Sequence, residues 1–415
     1  MNFKDWKIWL KSKPWILRWF VLLVLLRPII DNLYFLKNIS PFLSPLYIVG
    51  VLTPILCIYV IAKFPKPKKS TFDKYFKIWS FFLLLGIFFV IIFDPLSKDS
   101  FEFLLKLSLP VYLYFFARIF IQNKIDLDGI LTTFLYSGGF VAIILLYELG
   151  FGAIKLVESR GMERIQGSFG DVVSYGIYLT FSFLIAGYFY FSNQGVISKQ
   201  RRVRLLFTVG VLSLLTLLNI HHVASYTIFT GILLLFMVFN FKNNKGGAIV
   251  LSIFFMLLFY VFGQPIIEEK IIPLLQTDIS VYDGDKGSEK LLHGRVGRWT
   301  VMLDKFTDQN PFAQFFGYPL TLNRSYHYVG VGSHNDYVRI LFLSGYFGLF
   351  YYLVLLGLYY KVAKKLVNTT KFLALGVLGI LLLYSISIVP TYYPPFMYIV
   401  LSVFAFIALP KSEQI

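Results

Sequence analysis

Residues 171–220 read DVVSYGIYLTFSFLIAGYFYFSNQGVISKQRRVRLLFTVGVLSLLTLLNI. After Asp171 no charge interrupts the run until Lys199. Then Lys199, Arg201, Arg202 and Arg204 fall within six positions, and a second uncharged block follows to Ile220. The hydrocarbon core of a bilayer takes about 20 apolar residues of helix. Two such blocks joined by a compact basic loop predict a membrane hairpin, and the pattern recurs along the chain. Apolar spans are expected at approximately 15–33, 45–62, 78–93, 102–121, 130–150, 171–191, 205–220, 223–240, 247–262, 338–360, 372–389 and 395–409. The expected fold is therefore all-α: a polytopic integral membrane protein of about 12 transmembrane helices, in one domain over residues 1–415. One large loop, 263–336, separates the ninth and tenth spans.

Composition supports that class. Hydrophobic residues make up 57% of the 415 positions and charged residues 15%, against roughly 25% charged in an average soluble domain. The mean hydropathy is +0.69. So little charge would leave a water-soluble core uncovered. The single cysteine, Cys57, lies in an apolar block, which excludes an intrachain disulfide and a cysteine-based metal site. The first apolar stretch, Trp15 to Leu26, leads into Arg27, Pro28 and Asp31 and not into a small-residue cleavage site, so it reads as a retained helix.

Lysine and arginine in short loops orient membrane helices, with the basic side cytoplasmic. With the N-terminus inside, Arg18 and the alternate loops hold 24 of the 39 basic residues and only five of the 22 acids. The other side keeps 15 basic and 17 acidic residues. The net charge of +17 is thus a topology signal and an attraction to anionic lipid, not a nucleic-acid surface. Both termini are expected in the cytoplasm, and the large loop outside.

That loop is the place for chemistry, since a segment of this length without function is unusual. Trp299, Phe306, Phe312, Phe315 and Phe316 are spaced for short helices that pack back on the bundle. In LHGRVGRWTVML, residues 292–303, Arg295, Trp299 and Leu303 share a helical face, and Arg295 and Arg298 stand three apart. Guanidinium groups grip phosphate oxygens in a planar, bidentate way; pairing with Glu289, Asp304 or Asp308 is the structural alternative. At the far end, SHNDYVRILFLSGYFG, residues 333–348, puts His334 and Asn335 where the loop enters the next helix. A helix N-terminus attracts anions, and a histidine there can transfer protons; plain capping is the alternative. Gly345 and Gly348 favour close helix contact. A third patch, Glu158 to Gly170, carries Arg160 and Arg164 on the same outer face. Arg27, Asp31, Lys106, Glu148 and Arg339 all fall in the outer half of the spans, which suggests a polar cavity opening outward. Asp283-Gly284-Asp285 and the adjacent His221-His222 read as loop and not as metal sites, and no metal or cofactor is expected.

Three ordered elements carry a resemblance. ERIQGSFGDVVSYG, residues 163–176, is similar to the Arg-x-x-Gly-x-Phe segment of the O-antigen ligase and O-antigen polymerase superfamily. GRVGRW, residues 294–299, is similar to its Gly-Arg-x-x-x-Trp element, and SHNDYVRILFLSGYFG to its His-Asn signature with the following paired glycines. Asp171-Val172 stands where members of that family have Pro-Asn. The resemblance implies a GT-C-like glycosyltransferase of the bacterial inner membrane, with short helices in a periplasmic loop. It also implies a polyprenyl-diphosphate-linked oligosaccharide as donor, such as one on undecaprenyl diphosphate, without metal and with inversion. Its implied catalytic set is His334, Arg295 and Arg164, with Arg160, Arg298, Asn335 and Arg339 binding substrate. Membrane lipids, a flippase and a chain-length regulator are the implied partners. Repeat-unit polymerisation in surface polysaccharide synthesis is the favoured activity. Transfer to a lipid-A core in lipopolysaccharide synthesis is the alternative within the family, and a polysaccharide transporter or flippase is the alternative outside it.

Overall fold

A computed structural model describes residues 1–40, 43–93, 98–152, 156–159, 162–192, 198–243, 246, 249, 253, 267–317 and 334–411. Helices dominate: α1 (Phe3–Ser12), α2 (Trp15–Asn32), α3 (Leu36–Ile39), α4 (Pro45–Lys63), α5 (Thr71–Phe93), α6 (Lys98–Phe120) and α7 (Lys124–Phe151). A hairpin of β1 (Leu156–Ser159) and β2 (Met162–Ile165) precedes α8 (Val172–Phe191), α9 (Lys199–Ile220) and α10 (Val223–Asn243). The large loop forms α11 (Ile272–Tyr282), α12 (Leu291–Thr307) and α13 (Pro311–Phe316). The chain closes with α14 (Asp336–Ala363), α15 (Asn368–Ser387) and α16 (Pro394–Ile407).

Among the described residues, seven helices are long and apolar enough to cross a membrane: α4, α7, α8, α9, α10, α14 and α15. Helices α2, α5, α6 and α16 coincide with four more expected spans. The expected span at 247–262 lies outside the described residues except for positions 249 and 253. One short hairpin accompanies the helices: Val157 faces Arg164 and Glu158 faces Glu163 in antiparallel register.

The bundle is organised around two helices that are apolar on every side, the pattern of a helix enclosed by others. Every residue of α8 from Tyr175 to Phe189 is buried, and so is every residue of α16 from Phe396 to Ile407. Its 14 residues rise only about 21 Å, which suffices because α2, α6, α7, α8, α14 and α15 surround it. By contrast, α4 turns Ile48, Leu52, Ile55 and Ile58 outward, each 45–60% exposed. An apolar face of that kind is unsuited to water and suited to lipid.

The N-terminal lysines were expected in a cytoplasmic loop; the structure makes them part of an amphipathic helix. Trp6 donates to Thr133 Oγ1 (2.8 Å) and Trp9 to Asp126 Oδ1 (3.0 Å), fastening α1 to α7. The Trp9 ring lies where a side chain at position 129 would stand, so Gly129 seats it.

The loop helices dock on α14. Met302 and Phe306 are buried with Leu107, Leu341, Phe342 and Leu343 in a small separate core. Helix α14 is broken at Gly345 (φ 62°, ψ −169°), a backbone region open essentially only to glycine. A side chain there would strike the backbone of Gln314 and Phe315, while one at Gly317 (φ 81°) would strike the backbone of Leu343 and Ser344. Backbone meets backbone at this point. Gly345→Ala is therefore expected to destabilise the folded protein by more than about 2 kcal/mol, from strain of about 1–3 kcal/mol plus the clash. Gly50→Ala, which meets nothing within 4 Å, serves as the control. Thermal unfolding in detergent checks the pair, and equal melting temperatures would contradict the close approach.

Candidate functional site

The first turns of α12 are irregular. Leu292 (φ 50°) and Gly294 (φ 78°) take left-handed backbone before the helix settles. Arg295, Trp299, Met302 and Phe306 then fall on one face, half-buried at the first two positions and buried at the last two. Phe306 packs on Phe342 (5.5 Å between ring centroids) and Tyr346 (5.2 Å). The C-terminal half of α12 thus meets α14 around 342–346, and its N-terminal half reaches back toward the start of α14.

His334 stands at that start. Its imidazole is solvent-accessible yet partly desolvated, and its pKa lies below the ordinary 6.5. The partial burial is the larger cause, followed by the positive charges of Arg298 and then Arg295. The charges of two guanidinium groups thus act on one imidazole from sequence positions about 40 apart. Among the described residues no carboxylate lies within ion-pair distance of Arg298. His334 has φ 41°, a left-handed conformation that costs a non-glycine residue about 1–3 kcal/mol and that clusters at functional positions.

Its neighbours fix the helix entrance. Asn335 caps α14, accepting from Tyr337 N (2.9 Å) and Val338 N (3.1 Å), and it donates through Nδ2 to Ile386 O at 3.4 Å. Asp336 and Arg339 are 0% and 2% exposed and form an ion pair. Arg339 Nε donates to Asp336 Oδ1 (2.6 Å) and Nη2 to Thr391 Oγ1 (2.5 Å), while Thr391 donates to Asp336 Oδ1 (3.0 Å). Asn335 and Arg339, expected to bind substrate, are thus engaged in tying α14 to the α15–α16 turn.

Residues 163–176 divide. Arg160 lies outside the described residues, and Arg164 is placed by its backbone in β2, in a hairpin next to α9. No described contact joins the hairpin to Arg295 and His334. Phe169 is buried against Tyr175 (5.2 Å) and Tyr178 (5.1 Å), below a turn at Gly167 (φ 55°). Asp171 accepts from Ser174 N (2.7 Å) and Ser174 Oγ (2.8 Å), so it caps α8.

The charges expected to line one outward cavity are distributed among separate contacts. Arg27 pairs with Asp31 at 2.9 Å, beside Tyr398 and within reach of the Asp171 charge. Glu148 is buried near Tyr175, Lys106 is exposed, and Arg339 serves Asp336. A buried polar link escaped the sequence reading: His222 Nδ1 lies 2.8 Å from Ser225 Oγ, to which Tyr384 donates at 3.2 Å. Folding alone joins Ser225 to Tyr384, although Gly176, whose missing side chain admits Ser225, marks the close approach. Asp283 and Asp285 lie in an exposed turn after α11. No cluster of three or more potential metal ligands occurs among the described residues.

No protein-family model matches the chain, and no curated protein matches it.

The convergence of charge on His334 has a direct readout. Histidine NMR titration is expected to place the His334 pKa below 6.5 and to show it rising when Arg298 or Arg295 is replaced by alanine. A pKa that neither substitution moves would contradict the juxtaposition.

Proposed function

We propose that the chain is a membrane glycosyltransferase that joins polyprenyl-diphosphate-linked oligosaccharide units on the non-cytoplasmic face of a bacterial inner membrane. The observation that carries this reading is the electrostatic action of the Arg298 and Arg295 guanidinium charges on His334 at the entrance of α14. The proposal includes twelve spans with both termini in the cytoplasm, a GT-C-like arrangement and membership of the O-antigen polymerase and ligase group suggested by the three motifs.

The chemistry follows from the groups present. The donor is a sugar whose anomeric carbon is bonded to a lipid diphosphate. An acceptor hydroxyl attacks that carbon, the bond to the diphosphate oxygen breaks, and single displacement inverts the anomeric centre. Negative charge grows on the departing diphosphate, and preorganised cationic donors stabilise it. Arg295 and Arg298 are assigned that role, with Arg164 as a third contact. The acceptor's proton needs a base. A histidine pKa held below 6.5 keeps the imidazole neutral and proton-accepting at pH 7. Asn335, Asp336, Arg339 and Thr391 position His334 without touching the reacting atoms.

Polymerisation is favoured over ligation because nothing in the sequence identifies a lipid-A partner. Purified protein in liposomes with lipid-linked repeat units is expected to give a ladder of products. Arg295→Ala and Arg298→Ala are each expected to lower the rate about 10²–10³-fold, and His334→Ala about 10²–10⁴-fold. The rate is expected to fall as pH drops through the His334 pKa, and in Arg298→Ala that fall moves to higher pH. Transfer solely to a lipid-A core acceptor would replace polymerase by ligase. Wild-type rates in all three variants would overturn the site, and lipid-glycan translocation without any transfer would favour a transporter.

A further inference from the structure

The start of α9 carries cations for which the chain supplies no acid. No aspartate or glutamate occurs between Asp171 and Glu268, and Lys199, Arg201, Arg202 and Arg204 lie inside that stretch. None of the four is in an ion pair among the described residues. Basic residues in the N-terminal part of the chain differ, since Lys13 pairs with Asp126 and Arg118 with Asp73.

Helical spacing sorts the four onto different sides. Lys199 and Arg202 stand three apart, and Lys199, Val203 and Phe207 follow at intervals of four, so these residues share one side of α9. Arg204, two positions from Arg202, and Arg201 fall on another side. The environments differ as well. Arg201 and Arg204 are exposed, whereas Arg202 is half-buried. Its Nε and Nη1 are shut off from solvent and have no hydrogen-bond partner among the described residues. A guanidinium desolvated in that way lacks a counter-charge and an acceptor. Beside Lys199 the same side turns apolar, with Val203 44% and Phe207 59% exposed.

The height of this side in the membrane follows from the helix. With 22 residues, α9 rises about 33 Å, close to a hydrocarbon thickness of about 30 Å. Its first turn therefore lies at head-group level, with Val203 and Phe207 among the upper parts of the chains. The occupant must bring negative charge to Lys199 and Arg202 and an apolar body to Val203 and Phe207. A diacyl phosphodiester does both. A choline or ethanolamine ammonium would meet Arg201 and Arg204 with no acid to receive it, so an uncharged glycerol head fits.

We propose that this side of α9 binds one molecule of phosphatidylglycerol, its phosphate between Lys199 and Arg202 and an acyl chain along Val203 and Phe207. The proposal stands apart from the transfer reaction.

Native mass spectrometry of the purified full chain, titrated with phosphatidylglycerol or phosphatidylcholine, tests it. One phosphatidylglycerol is expected to bind saturably and phosphatidylcholine at least about tenfold more weakly. Arg202→Gln and Lys199→Gln, each removing a charge-assisted contact, are expected to weaken phosphatidylglycerol about tenfold. Arg201→Gln and Arg204→Gln remove the same charge from exposed positions and are expected to change it less than about threefold. Arg202→Lys is expected to recover part of the loss. Lys199 is exposed, so its variant keeps the test open if Arg202→Gln fails to fold. Equal losses in all four glutamine variants would mean a diffuse field and no site. Equal retention of the two lipids, or displacement of the bound lipid by soluble glycerol phosphate at matched concentration, would also overturn the proposal, whatever the transfer assay shows.

Discussion

A buried ion pair holds together the end of the bundle where α14 begins. Asp336 and Arg339 sit one turn apart at the start of α14, out of contact with water, and share Thr391 across a gap of more than fifty residues. Removing one member of such a pair costs about 3–5 kcal/mol, because the survivor is left charged and unmatched. The pair therefore fixes where α14 begins. The small core of Met302 and Phe306 against Phe342, the passage of α13 over Gly345, and the placement of His334 all take their position from that point.

This geometry separates two kinds of charge. Basic residues on the short loops were read as an orientation signal and an attraction to anionic lipid. Some are also structural: Arg118 is buried, donates to Lys68 O at 2.5 Å, and lies by Asp73, which accepts from the Tyr114 hydroxyl. The charges in the large loop behave differently. Arg298 is exposed and, among the described residues, unmatched by acid, yet its field reaches His334.

The helices were legible in the sequence because uncharged runs of about 20 residues have few soluble uses, and α8 shows this most clearly. The docking of the large loop was legible in part. Phe306 was placed on a packing face and is buried, whereas Phe312 and Phe315 remain about half exposed, since α13 lies over α14 with its backbone and not its rings at the closest contact. Arg295 and His334 were read as site residues from spacing and motif resemblance, and their meeting needed the fold of α12 along α14. Arg339 read the same way from sequence, yet its partners Asp336 and Thr391 depend on a turn 52 residues later. The Ser225–Tyr384 contact spans 159 residues, and no local pattern reports such a pairing. Helix α1 was within reach, because Trp6 and Trp9 share a face opposite the lysines, but the lysines dominated the reading.

The most direct test is a structure of the protein with a polyprenyl diphosphate bound. If the site works as proposed, both phosphates lie at the junction of α12 and α14, within hydrogen-bond reach of Arg295 and Arg298 and beside His334. A diphosphate seated elsewhere, for example among Arg201, Arg202 and Arg204 at the opposite end of the bundle, would contradict it.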